Sequence, residues 1–343
     1  MSAYIIRRLL ILPFIVFAVT LMIFAMMSQV SPTQRAALYV SDIPKTKDGL
    51  QKIIEKYGLD DPIPVQYFRW VKQIATGDLG YSKTGKESVM EVIQHRFPAT
   101  LELALFASAL IILLGVRLGI VAALRHNKWP DQTLRLFSIV GTSVPTFVIG
   151  LVLLMVFAAV LQWLPAGDRL SVQSQGLVDG PTWHGYTQLY TIDSLLNGNV
   201  NVFVDAVRHL LLPVLTLAII SVAVLMRVTR SSMLDTLRQD YVRTARAKGL
   251  TEHVVIQKHA RPNAMLPVVT LAGLTVAGLL SGAVITETVF NWPGIGQKTV
   301  QAATNLDLVT VLGLTMFFAV ILIIANLVVD ILYALIDPRV RLS

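Results

Sequence analysis

The sequence has no cysteine and little charge. Without cysteine there are no disulfides, thiolate metal sites or cysteine nucleophiles, and no outward loop carries a covalent staple. Charged residues make up 15% of the 343 positions, against about 25% in soluble domains. There is no low-complexity tract and no repeat at a solenoid period. The six histidines are scattered, and none pairs with a carboxylate at metal-ligand spacing, so no metal is expected. Ser231 and Ser232 have no nearby base, which argues against a hydrolase triad. Hydrophobic residues, at 54%, place the chain in the membrane class.

Six apolar runs, at about 9–29, 99–124, 135–162, 206–228, 266–289 and 308–336, are each long enough to cross ~30 Å of hydrocarbon. They lack strict alternation, so they read as helices. The net charge of +8 gathers at the ends of these runs. That pattern is a topology signal, not a nucleic-acid patch. Arg7 and Arg8 precede the first run, which is too long for a signal-peptide core and reads as a retained span at 1–30. The connection Arg125-His-Asn-Lys-Trp-Pro130 is short and basic, so it lies inside. The 164–205 segment is rich in Gly, Asp, Ser and Asn and lies outside. The 31–98 segment is long, of mixed charge, and free to be translocated. Its helix-like text around Leu50, Ile53, Ile54 and Tyr57 predicts a small folded cap. The expectation is an all-α membrane protein with six transmembrane helices, both termini cytoplasmic, an outer cap, and a core over 99–343.

The most polar connection in the second half, 229–265, carries the strongest inside signal. From Arg227 to Arg261 its net charge is +5. Met233, Leu237, Tyr241 and Ala245 recur at i, i+4 and predict one apolar stripe. Gly249 is suited to closing a helix and Thr251 to capping the next, with Glu252 well placed for its dipole. The text predicts helix, exposed corner, helix. Two readings stand. One is an amphipathic helix lying on anionic lipid. The other is a corner docked in a protein groove, which the small residues Ala245, Ala247 and Gly249 favour.

The string Asp240-Tyr241-Val242-Arg243-Thr244-Ala245-Arg246-Ala247-Lys248-Gly249-Leu250 resembles the EAA loop of ABC-importer permeases, with Arg243 where that pattern has Glu. Tyr4-Ile-Ile-Arg-Arg-Leu9, Gly77-Asp-Leu-Gly80, Arg96-Phe-Pro-Ala-Thr-Leu-Glu102, Met226-Arg-Val-Thr-Arg-Ser-Ser232, Asn263-Ala-Met-Leu-Pro267, Phe290-Asn-Trp-Pro-Gly-Ile-Gly296 and Asp337-Pro-Arg339 extend the likeness over nearly the whole chain. Together they resemble the B-type subunit of dipeptide and oligopeptide permeases, the DppB/OppB family. The resemblance implies a type I ABC-importer permease fold in a bacterial inner membrane. It implies a second, homologous C-type permease, two ATPase subunits that bind the ATP and magnesium, and a periplasmic peptide-binding protein. On this view the chain is no enzyme, and Asp240 to Leu250 couple it to the ATPases. Similar subunits carry nickel, haem or glutathione, and an ion-coupled secondary transporter is the alternative from another class. Arg261 and Pro262 depart from the family pattern, and Pro262 is expected to shorten the second loop helix. Arg117, inside the second run, also departs; it snorkels or lines a conduit.

Ionisable and polar groups within spans are candidates for the translocation path. They are Glu102, Ser281, Glu287, Asn326 and Asp330. Gly278-Leu-Leu-Ser-Gly282 offers a small-residue face for helix packing. Trp292, Pro293 and Gly294 force a turn that reads either as an interfacial anchor or as the rim of an outer mouth. Gly80-Tyr-Ser-Lys-Thr-Gly-Lys86 imitates a phosphate-binding loop, but Glu87 stands where its Ser or Thr belongs.

Overall fold

A computed structural model describes residues 2–36 and 47–336. The Asp337-Pro-Arg339 motif and Arg341 lie outside the described residues. The described chain is almost wholly helical. In order it runs α1 (Ser2–Ser28), α2 (Pro32–Ala36), α3 (Lys47–Tyr57), α4 (Ile63–Ala75), β1 (Tyr81–Ser82), β2 (Glu87–Ser88), α5 (Val89–Leu124), α6 (Trp129–Ser143) and α7 (Thr146–Leu153). It continues through α8 (Val172–Val178), α9 (Tyr190–Leu196), α10 (Val200–Leu237), α11 (Asp240–Ala247), α12 (Glu252–Val254), α13 (Arg261–Leu280), α14 (Val284–Val289), α15 (Ile295–Thr304) and α16 (Leu308–Ile336). Two wider, π-helical segments, Leu154–Val160 and Val255–Ala260, follow α7 and α12 without a break.

Among the described residues, four helices are long and apolar enough to cross a membrane: α5, α10, the continuous Glu252–Leu280 helix, and α16. The third apolar run is not a straight span. It bends by 103° between α6 and α7. Pro145 causes the break, because its ring disfavours helical backbone at the preceding residue, and Val144 is extended at ψ 129°. The fifth run is also interrupted: α13 ends at Leu280, Gly282 turns at φ +100°, and α14 restarts at Val284. In α1 the apolar stretch among the described residues is Pro13–Ala25. Pro262 does not shorten its helix. The π-helical segment Val255–Ala260 immediately precedes it, and Pro262 then falls in the first turn of α13. There its missing N–H costs little.

The core is built on α10. Of its most apolar stretch 67% is buried inside the molecule, against 28% for each of the other three. Its main partner is α5, and the crossing uses a pair that sequence reading passed over, Gly115-Val-Arg-Leu-Gly119. A Cβ at Gly115 would lie 2.9 Å from Leu225, and one at Gly119 2.5 Å from Thr229 Cβ and 2.7 Å from the Met226 carbonyl. Only glycine lets these backbones meet. The expected small-residue face behaves differently, since a Cβ at Gly278 would meet nothing within 4 Å. Arg117 sits between the two glycines, exposed and without a partner among the described residues.

The described part of the 31–98 segment packs against the first helix. Tyr67 of α4 packs edge-on against Phe17 and Phe24, and its hydroxyl lies 2.8 Å from Thr20 Oγ1. Ile54 and Leu59 are buried with Ala36, flanked by Ile53 and Tyr57. The side chain of Leu50 lies outside the described residues. The phosphate-loop imitation forms the β1–β2 hairpin, and a carboxylate occupies its mouth. Asp307, just before α16, accepts from the Thr84 N–H at 2.9 Å, the Thr84 hydroxyl at 2.9 Å, the Ser82 hydroxyl at 3.2 Å and the Thr310 hydroxyl at 2.7 Å. An anion already fills the place a phosphate would need.

Two outcomes follow from this packing. Gly119→Leu overpacks the α5–α10 crossing and should destabilise the chain by about 1–3 kcal/mol. Gly278→Leu should leave it nearly unchanged, as read by thermal unfolding in detergent. Burial alone would raise the Asp307 carboxyl, but hydrogen bonds from Thr84 and Thr310 outweigh it and hold the group below its ordinary value. Such a group stabilises the fold above the unfolded value of ~3.9 and loses that contribution as pH falls through the folded value. Hydrogen exchange of the 81–88 amides should therefore accelerate below about pH 4. These rates are read as protection factors, corrected for the intrinsic pH dependence of exchange; in Asp307→Asn protection should be lower at neutral pH and its fall on acidification smaller than in wild type.

Candidate functional site

The helix that carries the fourth apolar run continues through Met233 into the basic connection and ends at Leu237. Gln239, extended at ψ 149°, starts α11 on a new axis. This break shifts the predicted stripe. Met233, Val242 and Ala245 are buried, joined by Ala123, Val255, Ala260 and Ala264, whereas Tyr241 is 43% exposed. Val242, not Tyr241, continues the apolar face, because the periodicity of one helix does not carry across a second N-terminus.

α11 stops at a corner. Gly249 takes φ +76°, and its N–H donates to the Arg246 carbonyl at 2.9 Å. A Cβ at Gly249 would meet nothing within 4 Å. Glycine is therefore required here by the backbone and not by any contact within the chain. Thr251 holds the N-cap position of α12 but makes no side-chain cap. Glu252 instead spans the corner, accepting from Arg246 Nη2 at 2.7 Å and from Nε at 3.1 Å. That hydrogen-bonded pair raises the Arg246 guanidinium above its ordinary value. Asp240 and Arg243 meet loosely at 3.4 Å. Asp240, Tyr241, Arg243, Thr244, Arg246, Ala247, Lys248, Gly249 and Leu250 are all exposed, and only Val242 and Ala245 turn inward. The corner is a projection bridged by one exposed ion pair and anchored by Val242 and Ala245, and its remaining side chains are open to the surroundings.

At the other end of the molecule, two of the predicted path residues are structural ties. Glu102 is 1% exposed. It accepts from Arg169 Nη2 at 2.7 Å, and from the Thr191 N–H at 2.8 Å and hydroxyl at 2.7 Å. The Arg169 guanidinium lies 3.8 Å from the Tyr190 ring centroid. Glu102 thus anchors the 164–205 segment to α5. Glu287, 0% exposed, accepts from the Thr100 hydroxyl at 2.8 Å and the Gln297 N–H at 2.9 Å, and so caps α15. Trp292 is fully buried, and its indole N–H donates to the Ala99 carbonyl at 2.9 Å. This corrects the interfacial-anchor reading, since the turn at Pro293 folds the ring inward onto α5. Pro293 is half-buried beside an outward cleft of about 680 Å³, and Gly294 is buried against Glu287. Ser281 is half-buried and donates to the Ala277 carbonyl at 3.0 Å. Asn326 is exposed in a groove with Ile11, Ile15, Thr270 and Leu274. The Asp330 side chain lies outside the described residues.

Sequence reading missed Arg169, Thr100 and Thr191. Arg169 was the one of these with a signal, as a rare positive in a segment otherwise poor in them. Glu102→Gln leaves the Arg169 charge buried without its counter-ion and should cost about 3 kcal/mol in thermal unfolding. Arg169→Met added to it should recover part of that loss, a non-additivity that separates the pair from two independent contacts.

Comparison with known proteins follows the same lines. The model of the binding-protein-dependent transport system inner membrane component family matches residues 115–342, and that of its N-terminal part matches 1–104. The chain is 42% identical over 314 residues to the probable D,D-dipeptide transport system permease protein DdpB of Escherichia coli K12, covering 91% of this chain and 90% of that one. It is 40% identical to the di/tripeptide transport system permease protein DppB of Pseudomonas aeruginosa, over 99% of both chains. It is 38% identical to the dipeptide transport system permease protein DppB of Alkalihalophilus pseudofirmus, over 99% of this chain and 100% of that one. Among solved structures, an inward-facing MetNI methionine ABC transporter aligns with a TM-score of 0.51 at 13% identity. The alignment covers 72% of this chain and 97% of that one, a likeness of fold alone. With both family models matched along the chain, and with relatives this close over nearly its full length, the protein belongs to the family of binding-protein-dependent transport system inner membrane components.

Proposed function

We propose that this chain is one of two homologous permease subunits of an ABC importer that carries di- and oligopeptides into the cytoplasm. The observation that carries the reading is the exposed corner from Asp240 to Leu250, which is anchored to the neighbouring helices by Val242 and Ala245 and presents its other side chains outward. Near-full-length identity to peptide permeases supports the substrate class. In this reading the chain crosses the inner membrane six times with both termini in the cytoplasm, α6 and α7 forming one broken span. It is a type I permease that does not itself hydrolyse ATP. Two ATPase subunits bind ATP and magnesium and grip the corner, and a C-type permease completes the conduit. A periplasmic peptide-binding protein docks outside on 31–98 and 164–205, over the cleft lined by Glu87, Arg96, Asp168 and Arg169. That cleft offers charges of both signs, as a peptide with free termini requires.

The mechanism is alternating access. Closure of the ATPase dimer displaces the corner and opens the spans outward, and hydrolysis returns them. Coupling of this kind needs contacts that differ between two global states. A corner with exposed side chains and a fixed shape can supply them. Ser281 and Asn326, which no buried network holds, remain candidates for the path, together with Asp330. Glu102 and Glu287 act on the path by holding its outer walls. An importer of nickel, haem or glutathione would use the same coupling. An ion-coupled carrier would need paired mid-membrane charges, and Glu102 and Glu287, both near the outer end, are already committed elsewhere.

Because the Tyr241 and Arg243 side chains are exposed and Gly249 has open space, substitutions there cost the chain itself little packing. Tyr241→Ala, Arg243→Glu and Gly249→Val should leave thermal unfolding within about 2 kcal/mol of wild type. They should lower co-purification with the ATPases and peptide-stimulated ATP turnover at least tenfold. Undiminished binding and turnover in all three would refute the coupling role.

A further inference from the structure

We propose that the groove between α6 and α10 holds the phosphate headgroup of an anionic phospholipid from the inner leaflet. The inference rests on the inside placement of the 125–130 connection. The groove has a volume of about 250 Å³. Ala122, Leu134, Ile139 and Met226 form its apolar wall, and Arg135, Arg227 and Arg230 its rim.

The three arginines are not equivalent. Arg230 donates to both carboxylate oxygens of the fully buried Asp131, from Nε at 2.6 Å and from Nη2 at 2.8 Å. That acid is neutralised, and it accepts a further bond from the Asn127 N–H at 2.9 Å. Arg135 and Arg227 are exposed, and neither has a hydrogen-bonding or acidic partner among the described residues. The rim thus carries two uncompensated guanidinium groups above apolar side chains. A planar guanidinium suits a phosphate, which it can engage through two parallel hydrogen bonds.

Depth points to lipid over a free anion. Trp129, 72% exposed, opens α6 directly after Lys128. An exposed tryptophan beside basic residues marks the headgroup level. Arg135 lies six residues further along, about 9 Å along the helix axis at 1.5 Å per residue, so it lies within reach of that level for a long side chain whatever the tilt of α6. On the same helix Leu136, Ile139 and Val140 are exposed, an apolar surface continuous with the groove wall. A free phosphate would use the arginines and leave that wall empty, whereas a phospholipid fills both. Basic pockets between transmembrane helices on the cytoplasmic side recognise anionic headgroups in this way.

The test uses the full chain purified in detergent, alone and with its partner subunits. Native mass spectrometry counts bound lipid after exchange into micelles containing phosphatidylglycerol or phosphatidylcholine. Wild type should retain phosphatidylglycerol in preference to phosphatidylcholine by about tenfold, as two unpaired cations warrant. It should also unfold at a higher temperature in phosphatidylglycerol. Arg135→Gln with Arg227→Gln should abolish the preference and the thermal shift. Lys258→Gln, an exposed cation outside the groove, should keep both. Inorganic phosphate at the same concentration should not displace the lipid. Equal retention by the double variant, no headgroup preference in wild type, or displacement by inorganic phosphate would each overturn the site. The thermal shift of wild type is a separate readout should the double variant fold poorly. Lys128→Cys, in a chain without other cysteines, reports topology independently. Labelling from the outside would sink the inside placement. Labelling from the inside with no lipid preference would sink the lipid site alone.

Discussion

The structure depends on one close approach, the crossing of α5 and α10 at Gly115 and Gly119. In lipid there is no hydrophobic force between helices, since the surrounding tails are as apolar as leucine. Association rests on van der Waals contact and hydrogen bonds, and glycine brings two backbones near enough for both. Leu225 and Thr229 fill the space that a Cβ would take on α5. The crossing fixes α10, the most buried helix, against the helix that carries both the outer hairpin junction and the inner basic connection. Several other elements lean on this pair: α13 on α10 and α5, α6 through the Ser138 hydroxyl that donates to the Ala223 carbonyl at 3.0 Å, and α9 through Thr191.

The two ends of this pair are finished in opposite ways. At the end away from the basic corner, the buried carboxylates Glu102 and Glu287 find partners within the chain. The loops there are bound to the helices and to one another, as when the Asp168 N–H donates to the Phe290 carbonyl at 3.0 Å. At the opposite end the corner is bridged by Arg246 and Glu252, turns Val242 and Ala245 inward and presents its polar side chains to the surroundings. A surface ion pair of this kind contributes little stability. Its effect is on shape, because it bridges the turn at Gly249 and biases the geometry of the corner.

Much of this was legible in the residues. Apolar runs located the long helices, and glycine followed by a capping position located the corner. What escaped has physical reasons. Pro145 bends the third run by 103°, and a hydropathy window counts apolar residues without weighing where the backbone must leave the helix. Glu102 and Glu287 looked like path residues because a carboxylate in a span is costly. Their partners Arg169 and Gln297 are distant in sequence or supplied by backbone, which no local pattern reveals. Trp292 looked interfacial by residue type, and the adjoining turn buried it instead. The Gly115 and Gly119 pair was visible at its four-residue spacing but was overshadowed by Arg117 between them.

The corner can act as a lever only if it is rigidly joined to what it moves, and the inner packing supplies that joint. Met233 at the end of α10, Val242 and Ala245 of α11, and Val255, Ala260 and Ala264 on the return share one buried cluster with Ala123 of α5. The Ser232 hydroxyl donates to the Ala264 carbonyl at 2.8 Å and ties the outgoing helix to the returning one. A force on Tyr241 or Leu250 therefore loads α10 and α13 together, and through the glycine crossing it loads α5. Under the proposed coupling role, strain would have two natural outlets, both places where the α-helical bonding pattern is interrupted or changed. One is the π-helical segment Val255–Ala260 beside the corner, and the other is the interruption at Ser281–Ala283, next to the Glu287-capped turn. Between them α13 is an unbroken helix of 20 residues. On the proposed coupling role, motion at the corner would be carried as a tilt of that helix rather than dissipated in a loop.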